Sequence, residues 1–258
     1  MKIYIISLIK DKHKREKISF VLDKMGIKYE FVDAIYGKEL DRNILKDSTQ
    51  KGKILTRGFE PTSGEIGCSF SHLKTMEKML ANNEEWACIF EDDVILDHRF
   101  KDFILTLDSQ HLCENNLYLL GGQNGLITEK FISKSFFGGK ILGNQKFSKI
   151  VKSEVFVNRA CCYLVSRKFA QKYVEHARNY FFLADDWKHI KDAGIFNTIY
   201  LSDFVDHPID LSDSNLEKER LEGEKGKSKF KNLTIYKVSR YFYFGFRILY
   251  AQLNRFLV

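Results

Sequence analysis

The chain is 258 residues long, enough for one large or two small domains at roughly 150 residues each. Its 44% hydrophobic and 29% charged residues are those of a globular protein, which excludes wholesale disorder, collagen-like repeats and a polytopic membrane protein. Lysine and arginine outnumber aspartate and glutamate 41 to 34, a net charge of +7 whose location matters more than its size.

Lys2 to Leu8 is β-branched and apolar and predicts a strand buried on both faces. Its charges follow the apolar run and no small-residue cleavage site closes it, so a signal peptide is not expected. Asp11 to Met25 carries Ile18, Val21, Leu22 and Met25 at helical spacing, and Gly26 ends the helix. Lys28 to Val32 is a second strand, completing a βαβ unit and implying a parallel pair. Lys46 to Gly58 is polar and basic without clear periodicity and reads as a mobile surface loop. Thr62 with Glu65 has capping-box spacing, opening a helix over about 64–80.

Trp86 to Phe90 is a short apolar strand that ends abruptly in Glu91, Asp92 and Asp93. Leu117 to Leu120 predicts another strand, and the glycine-rich stretch from Gly121 to Lys152 a long functional loop. Val155 to Val165 returns to strand, Arg167 to Arg178 is helical, a short helix carries Asp185, Asp186 and Trp187, and Ile195 to Leu201 is a last strand. The class is therefore α/β, a mixed sheet with flanking helices over 1–215, followed by a basic linker and helix over 216–258. The five cysteines are odd in number and form no CxxC pair. Cys161 and Cys162 read as buried free thiols, and a reducing cytoplasm is expected.

Beyond Glu224 no acidic residue occurs, while basic residues alternate with tyrosine and phenylalanine. At about 100° per residue, Lys237, Arg240, Arg247, Asn254 and Arg255 share an arc of roughly 100°. That pattern suits the headgroup layer of an anionic membrane. Arg247 sits where a transmembrane span would need an apolar residue. Docking on the protein's own core or a partner is the alternative; nucleic-acid binding is not expected, because the basic and aromatic residues segregate to opposite faces.

Three adjacent carboxylates at a strand end repel one another unless a cation or solvent relieves them. In open α/β sheets ligands bind at the carboxyl ends of strands. Glu91-Asp92-Asp93 is thus a candidate Mn²⁺ or Mg²⁺ site for a diphosphate, with a solvated acidic loop as the alternative. Asp185 and Asp186 offer a general base or, in the plainer reading, a helix cap with a surface neighbour. Ser71 and His72 do not form a hydrolase pair, since neighbouring helical side chains diverge.

Several segments in this order resemble glycosyltransferase family 25, the bacterial lipooligosaccharide galactosyltransferase family. They are Ile6-Ser7-Leu8 with Arg15, Ala34-Ile35-Tyr36-Gly37, Gly64-Glu65-Ile66-Gly67-Cys68 running into Ser71-His72, Ile89 to Val94, Cys162 to Arg167, and Asp185-Asp186-Trp187. The resemblance covers about 1–215. It implies a GT-A-like nucleotide-binding fold, a UDP-sugar donor (most often UDP-galactose) and inverting transfer, with Glu91-Asp92-Asp93 as the family's version of the DxD motif. Asp93 would be the primary metal ligand, with Glu91 or Asp92 facing the ribose or a metal-bound water. Ile6, Ser7 and Leu8 would lie at the donor, joined by Arg15 unless it is solvated and by His72 unless it is core-packed or capping; His207 would complete the metal or diphosphate shell. Arg159, a cation beside an apolar strand, is a further candidate for the donor phosphates or sugar. Asp185, ahead of Asp186, would be the base, and Trp187 would stack on a sugar ring. The expected acceptor is a lipid-linked oligosaccharide of lipooligosaccharide or lipopolysaccharide, met at the cytoplasmic face of the inner membrane. UDP-glucose or a UDP-N-acetylhexosamine as donor, a two-metal phosphohydrolase or nuclease, and a non-catalytic sugar-nucleotide binder are the rivals.

Overall fold

The computed structural model describes residues 1–55, 60–208 and 234–256. Eight strands form one mixed sheet in the order β2-β1-β3-β7-β4-β8-β6-β5. They are β1 (Lys2–Ser7), β2 (Glu30–Asp33), β3 (Trp86–Glu91), β4 (Asn116–Gly121), β5 (Lys140–Leu142), β6 (Gln145–Lys149), β7 (Cys162–Ser166) and β8 (Thr198–Val205). β1 is parallel to β2 and β3, β7 is antiparallel to β3 and β4, and β4 is parallel to β8. The carboxyl ends of β1, β3, β4 and β8 and the amino end of β7 therefore meet at one edge. Strand alternation splits the core: Ile3 and Ile5 pack on one face with Ile18, Leu22 and Phe100, while Tyr4 and Ile6 pack on the other with Met76, Phe169 and Trp187.

Helices cover both faces, as a sheet buried on both sides requires. Helix α1 (Lys12–Met25) follows β1 and stops where Gly26 takes φ 70° and returns its N–H to Leu22 and Asp23. Helix α3 (Ser63–Ala81) opens with the expected reciprocal Thr62–Glu65 capping box. Helices α4 (His98–Thr106), α5 (Arg167–Ala177) and α6 (Trp187–Asp192) complete the two layers.

Four expectations need correction. The surface loop expected from Lys46 is helical to Leu55, as part of α2 (Arg42–Leu55); residues 56–59 lie outside the described residues. Among its described side chains the buried one is Ser48 while Ile44 is exposed, so large apolar residues do not mark the inward face there, and an Asp47–Lys51 pair one turn apart supports its outer face. The glycine-rich stretch holds the β5–β6 hairpin, whose two-residue turn places Gly143 and Asn144 at φ 49° and 63°, the signature of a type I′ turn. The strand expected over 155–165 is only Cys162–Ser166, because a 3₁₀ turn at Glu154–Phe156 and Arg159 at φ 62° break the extended chain before it.

The fourth correction concerns the tail. The expected boundary at 215 lies outside the described residues, as do the side chains of Lys237 and Arg240. Helix α7 (Thr234–Asn254) lies against the domain through the face expected to meet lipid. Arg247 stacks on Phe156, Arg255 stacks on Phe136 and donates to the Lys134 carbonyl, and Asn254 is buried. These cations are taken up by the protein's own rings and carbonyls. Among the described residues no helix is long and apolar enough to cross a membrane.

Candidate active site

The strand ends at the shared edge deliver Ser7, Glu91 to Asp93, Gly121 and His207, with Asn158 to Cys161 from the start of β7 laid alongside. The Glu91 N–H donates to the Cys161 carbonyl (3.0 Å), and Ile95 and Asp206 exchange backbone bonds, which fixes His207 beside Asp93. A cavity of about 120 Å³ opens here, lined by Ile6, Ser7, Leu8, Lys14, Tyr36 and the three acids among others. Its far wall is α3, pressed onto the 35–37 loop so closely that a Cβ on Gly67 would lie 2.6 Å from the Gly37 nitrogen. The Ile35 N–H donates to Ser71 Oγ at 2.8 Å, which holds that loop to the helix.

The three acids are held differently. Asp92 Oδ2 accepts from the Ser7 hydroxyl at 2.6 Å, with Lys14 Nζ 3.9 Å from its other oxygen. Glu91 Oε1 lies 3.4 Å from His72 Nε2, and His72 Nδ1 is 2.7 Å from the Tyr163 hydroxyl. Asp93 Oδ1 is buried without a hydrogen-bond partner among the described residues and sits 3.5 Å from His207 Nε2. His207 Nδ1 is 3.0 Å from the Pro208 carbonyl, which can only accept, so this nitrogen carries the proton. Nε2 thereby faces the Asp93 oxygen, a contact that a proton or a metal ion between the two atoms makes favourable. Donor atoms of Glu91, Asp93 and His207 lie within 4.8 Å of one another. Two carboxylates and an imidazole suit a divalent ion of the Mn²⁺ kind, and the orphaned Asp93 oxygen fits such a ligand.

The charges point the same way. Burial pushes the Asp92 carboxyl up to about 6, against the Ser7 hydroxyl and Lys14. Burial and then the charge of Glu91 push Asp93 upward as well. Burial acts on Glu91 too, but the His72 hydrogen bond and the charges of His72, His207 and Lys14 outweigh it and hold this acid below the ordinary value. Two strained acids around one stable carboxylate call for positive charge.

Of the other expected residues, Ile6, Ser7 and Leu8 line the cavity, the first two by mostly buried side chains. Arg15 does not line it: its guanidinium donates to the Ser7 carbonyl (2.6 Å), Ser7 Oγ (3.2 Å) and Asp33 (2.8 Å), so it positions Ser7. His72 is 1% exposed and acts through Glu91. Arg159 spans the edge, donating from Nη1 to the Gly122 carbonyl (2.9 Å), while Asp185 Oδ2 accepts its backbone N–H (3.0 Å). Asp186 caps α6 by accepting the His189 N–H at 3.1 Å. Trp187 is 1% exposed, edge-on to Tyr163, with its indole N–H on the Arg159 carbonyl; the expected sugar-stacking face is core. Lys14, Tyr36 as a wall and Tyr163 as His72's partner were not singled out. Lys14 had a signal, the first turn of a helix entering from a strand's carboxyl end; Tyr163 reads only as a core residue of β7.

The profile of glycosyltransferase family 25 (LPS biosynthesis protein) matches residues 1–187, most of the chain. The chain belongs to glycosyltransferase family 25. A Haemophilus influenzae protein named "Putative glycosyltransferase" is 29% identical over 243 residues, covering 87% of this chain and 79% of its own length. A glycosyltransferase 25 family member of Aedes aegypti is 35% identical over 105 residues, and procollagen galactosyltransferase 1-A of Xenopus laevis 30% over 109. Those two alignments cover 38% and 41% of this chain but only 17% and 18% of the animal proteins. Among solved structures, an inositol-1-phosphate CTP transferase from T. maritima covers 88% of this chain and 96% of its own at a TM-score of 0.41 and 13% identity, too loose a likeness to carry an argument. The family assignment makes the chain a transferase with a sugar donor and an acceptor.

Proposed function

We propose that this family 25 glycosyltransferase moves a hexose, galactose from UDP-galactose first among the candidates, to an oligosaccharide of lipooligosaccharide or lipopolysaccharide with inversion at the sugar. The observation that carries the reading is the buried Asp93 Oδ1, without a hydrogen bond among the described residues, facing His207 Nε2 beside Glu91 and the cavity. Galactose leads because relatives in the family are named procollagen galactosyltransferases, and the lipopolysaccharide acceptor rests on the family's own description.

In this reading Asp93, Glu91 and His207 hold a Mn²⁺ or Mg²⁺ ion, which when bound supplies positive charge against the departing diphosphate. Lys14 adds a fixed cation at the same wall, and Arg15 keeps Ser7 where it orients Asp92. His72 and Tyr163 fix the rotamer of Glu91 from beneath. Asp185 takes the proton of the attacking acceptor hydroxyl, while Asp186 serves α6 as its cap. The acceptor is lipid-linked, so the chain works at the cytoplasmic face of the inner membrane.

UDP release from a panel of UDP-sugars, with Mn²⁺, Mg²⁺ or EDTA, tests the reading. Metal-dependent release from one sugar nucleotide is expected. A chain that neither releases UDP nor binds it in Mn²⁺ refutes the catalytic assignment and favours a non-catalytic binder, in a family whose mouse relative is named an inactive member.

A further inference from the structure

Docking α7 through Arg247 and Arg255 leaves a second face uncovered among the described residues. At about 100° per residue the exposed Tyr243, Phe246, Leu249, Tyr250, Leu253 and Phe256 fall within an arc of roughly 140°, opposite the arc of Phe244, Arg247, Ala251 and Asn254. Phe256 packs on Phe136 with ring centroids 5.1 Å apart, and Phe136, Phe137 and Ile141 at the β5 hairpin are themselves exposed. The result is an apolar strip larger than scattered surface residues require, aromatic at both ends.

Beside this strip lies a cavity of about 400 Å³ between α6, β6 and α7, walled by Tyr250 and carrying Lys149, Lys152, Lys188 and Lys191 against Glu154 and Asp192. Lys191 is paired with the buried Glu154 and Lys188 with Asp192. Among the described residues, no ion pair engages Lys149 or Lys152. A pocket that is cationic in excess, opening next to an apolar aromatic strip, is complementary to an anionic headgroup above an acyl chain.

We propose that this lysine pocket binds the phosphate headgroup of an anionic phospholipid while the outer face of α7 and the Phe136–Ile141 segment enter the acyl boundary. The proposal deepens only the membrane-surface part of the functional reading and places the lipid-facing cations on the domain, not on α7.

The test is co-sedimentation of the full chain with phosphatidylcholine vesicles, with and without about one-third phosphatidylglycerol. The wild type should pellet with the anionic vesicles and hardly with the neutral ones. Lys149→Ala/Lys152→Ala should lower the anionic partition by about tenfold or more, since each cation near such a surface counts separately. Leu249→Ser/Leu253→Ser should abolish pelleting with the anionic vesicles. Both leucines are exposed, so thermal unfolding should not move. Equal binding to neutral and anionic vesicles, or a lysine variant that partitions like wild type, overturns the pocket. A dimer in light scattering that the leucine variant converts to monomer, without vesicle binding, gives the strip to a second copy and overturns the lipid. UDP release, measured on the same samples, should be unchanged in both variants, and its failure would strike the catalytic reading alone.

Discussion

Glu91-Asp92-Asp93 and Asp185-Asp186 look alike in sequence: neighbouring acids where an apolar segment ends. In the fold they are used in opposite ways. Asp185 and Asp186 each accept a backbone N–H, one fixing Arg159 and the other starting α6. At the end of β3 the acids meet side chains instead, and Asp93 keeps a buried oxygen that no hydrogen bond among the described residues satisfies. Backbone bonds fix where Asp185 and Asp186 stand. An acid left with an unpaid buried oxygen marks where a ligand belongs.

The sharpest way to break this contrast is Asp93→Asn. On the proposed reading the carboxylate charge holds the metal, so UDP release should fall about 10²–10³-fold, the range for losing one strong electrostatic group at a reacting centre. Mn²⁺ binding, followed by its paramagnetic resonance signal, should weaken with it. Metal-free stability should hold or rise, because burial and Glu91 already disfavour the ionised Asp93. A variant that loses stability and keeps its Mn²⁺ affinity would make Asp93 structural and collapse the distinction.

The second pair separates next. Asp185→Asn should lower turnover about 100-fold if this oxygen takes the acceptor's proton. Asp186→Asn should leave turnover near wild type, because asparagine caps a helix as well as aspartate does, whereas Asp186→Ala should cost about 1 kcal/mol in thermal unfolding. Equal turnover losses in the two Asn variants would show that the capping assignment does not divide the roles. Tyr163→Phe probes the support beneath the first cluster. It leaves His72 Nδ1 buried without a partner, at about 1–3 kcal/mol of stability, and should weaken Mn²⁺ binding through Glu91 without moving donor specificity.

How far the sequence carried the fold follows from the kind of signal each element gives. β1, α1, β2, α3, β3 and α5 announce themselves through apolar period and caps, and the structure places each within a few residues of the expected bounds. Helix α2 hid because, among its described side chains, the buried one is Ser48 and not a large apolar residue. The β5–β6 hairpin hid because only Gly143-Asn144 signals it, inside a stretch whose other glycines read as loop. Glu91, Asp93 and His207 were each legible as candidates by type and position. Their meeting was not, since it depends on β8 pairing parallel to β4 beyond an antiparallel β7. The tail shows the opposite failure: the two faces of α7 were legible, but which one meets the protein depended on Phe136 and Phe156, far away in sequence.

The smallest effect tests the scaffold on which the second acid pair rests. His176 on α5 and His189 on α6 face each other with Nε2 atoms 3.0 Å apart, and the His189 N–H is the one Asp186 caps. Burial, then the charge of His189, holds His176 below its ordinary 6.5. A folded state that resists protonation binds fewer protons than the unfolded chain, so stability is full above that ordinary value and is lost as pH falls from it toward the lower folded one. The wild type should therefore lose more Tm than His176→Gln between about pH 7.5 and 5.5, by a few degrees at most. Equal losses in the two proteins would mean that the ring pair does not sense the proton, and that α6 is held to α5 by packing and by the Asp186 cap.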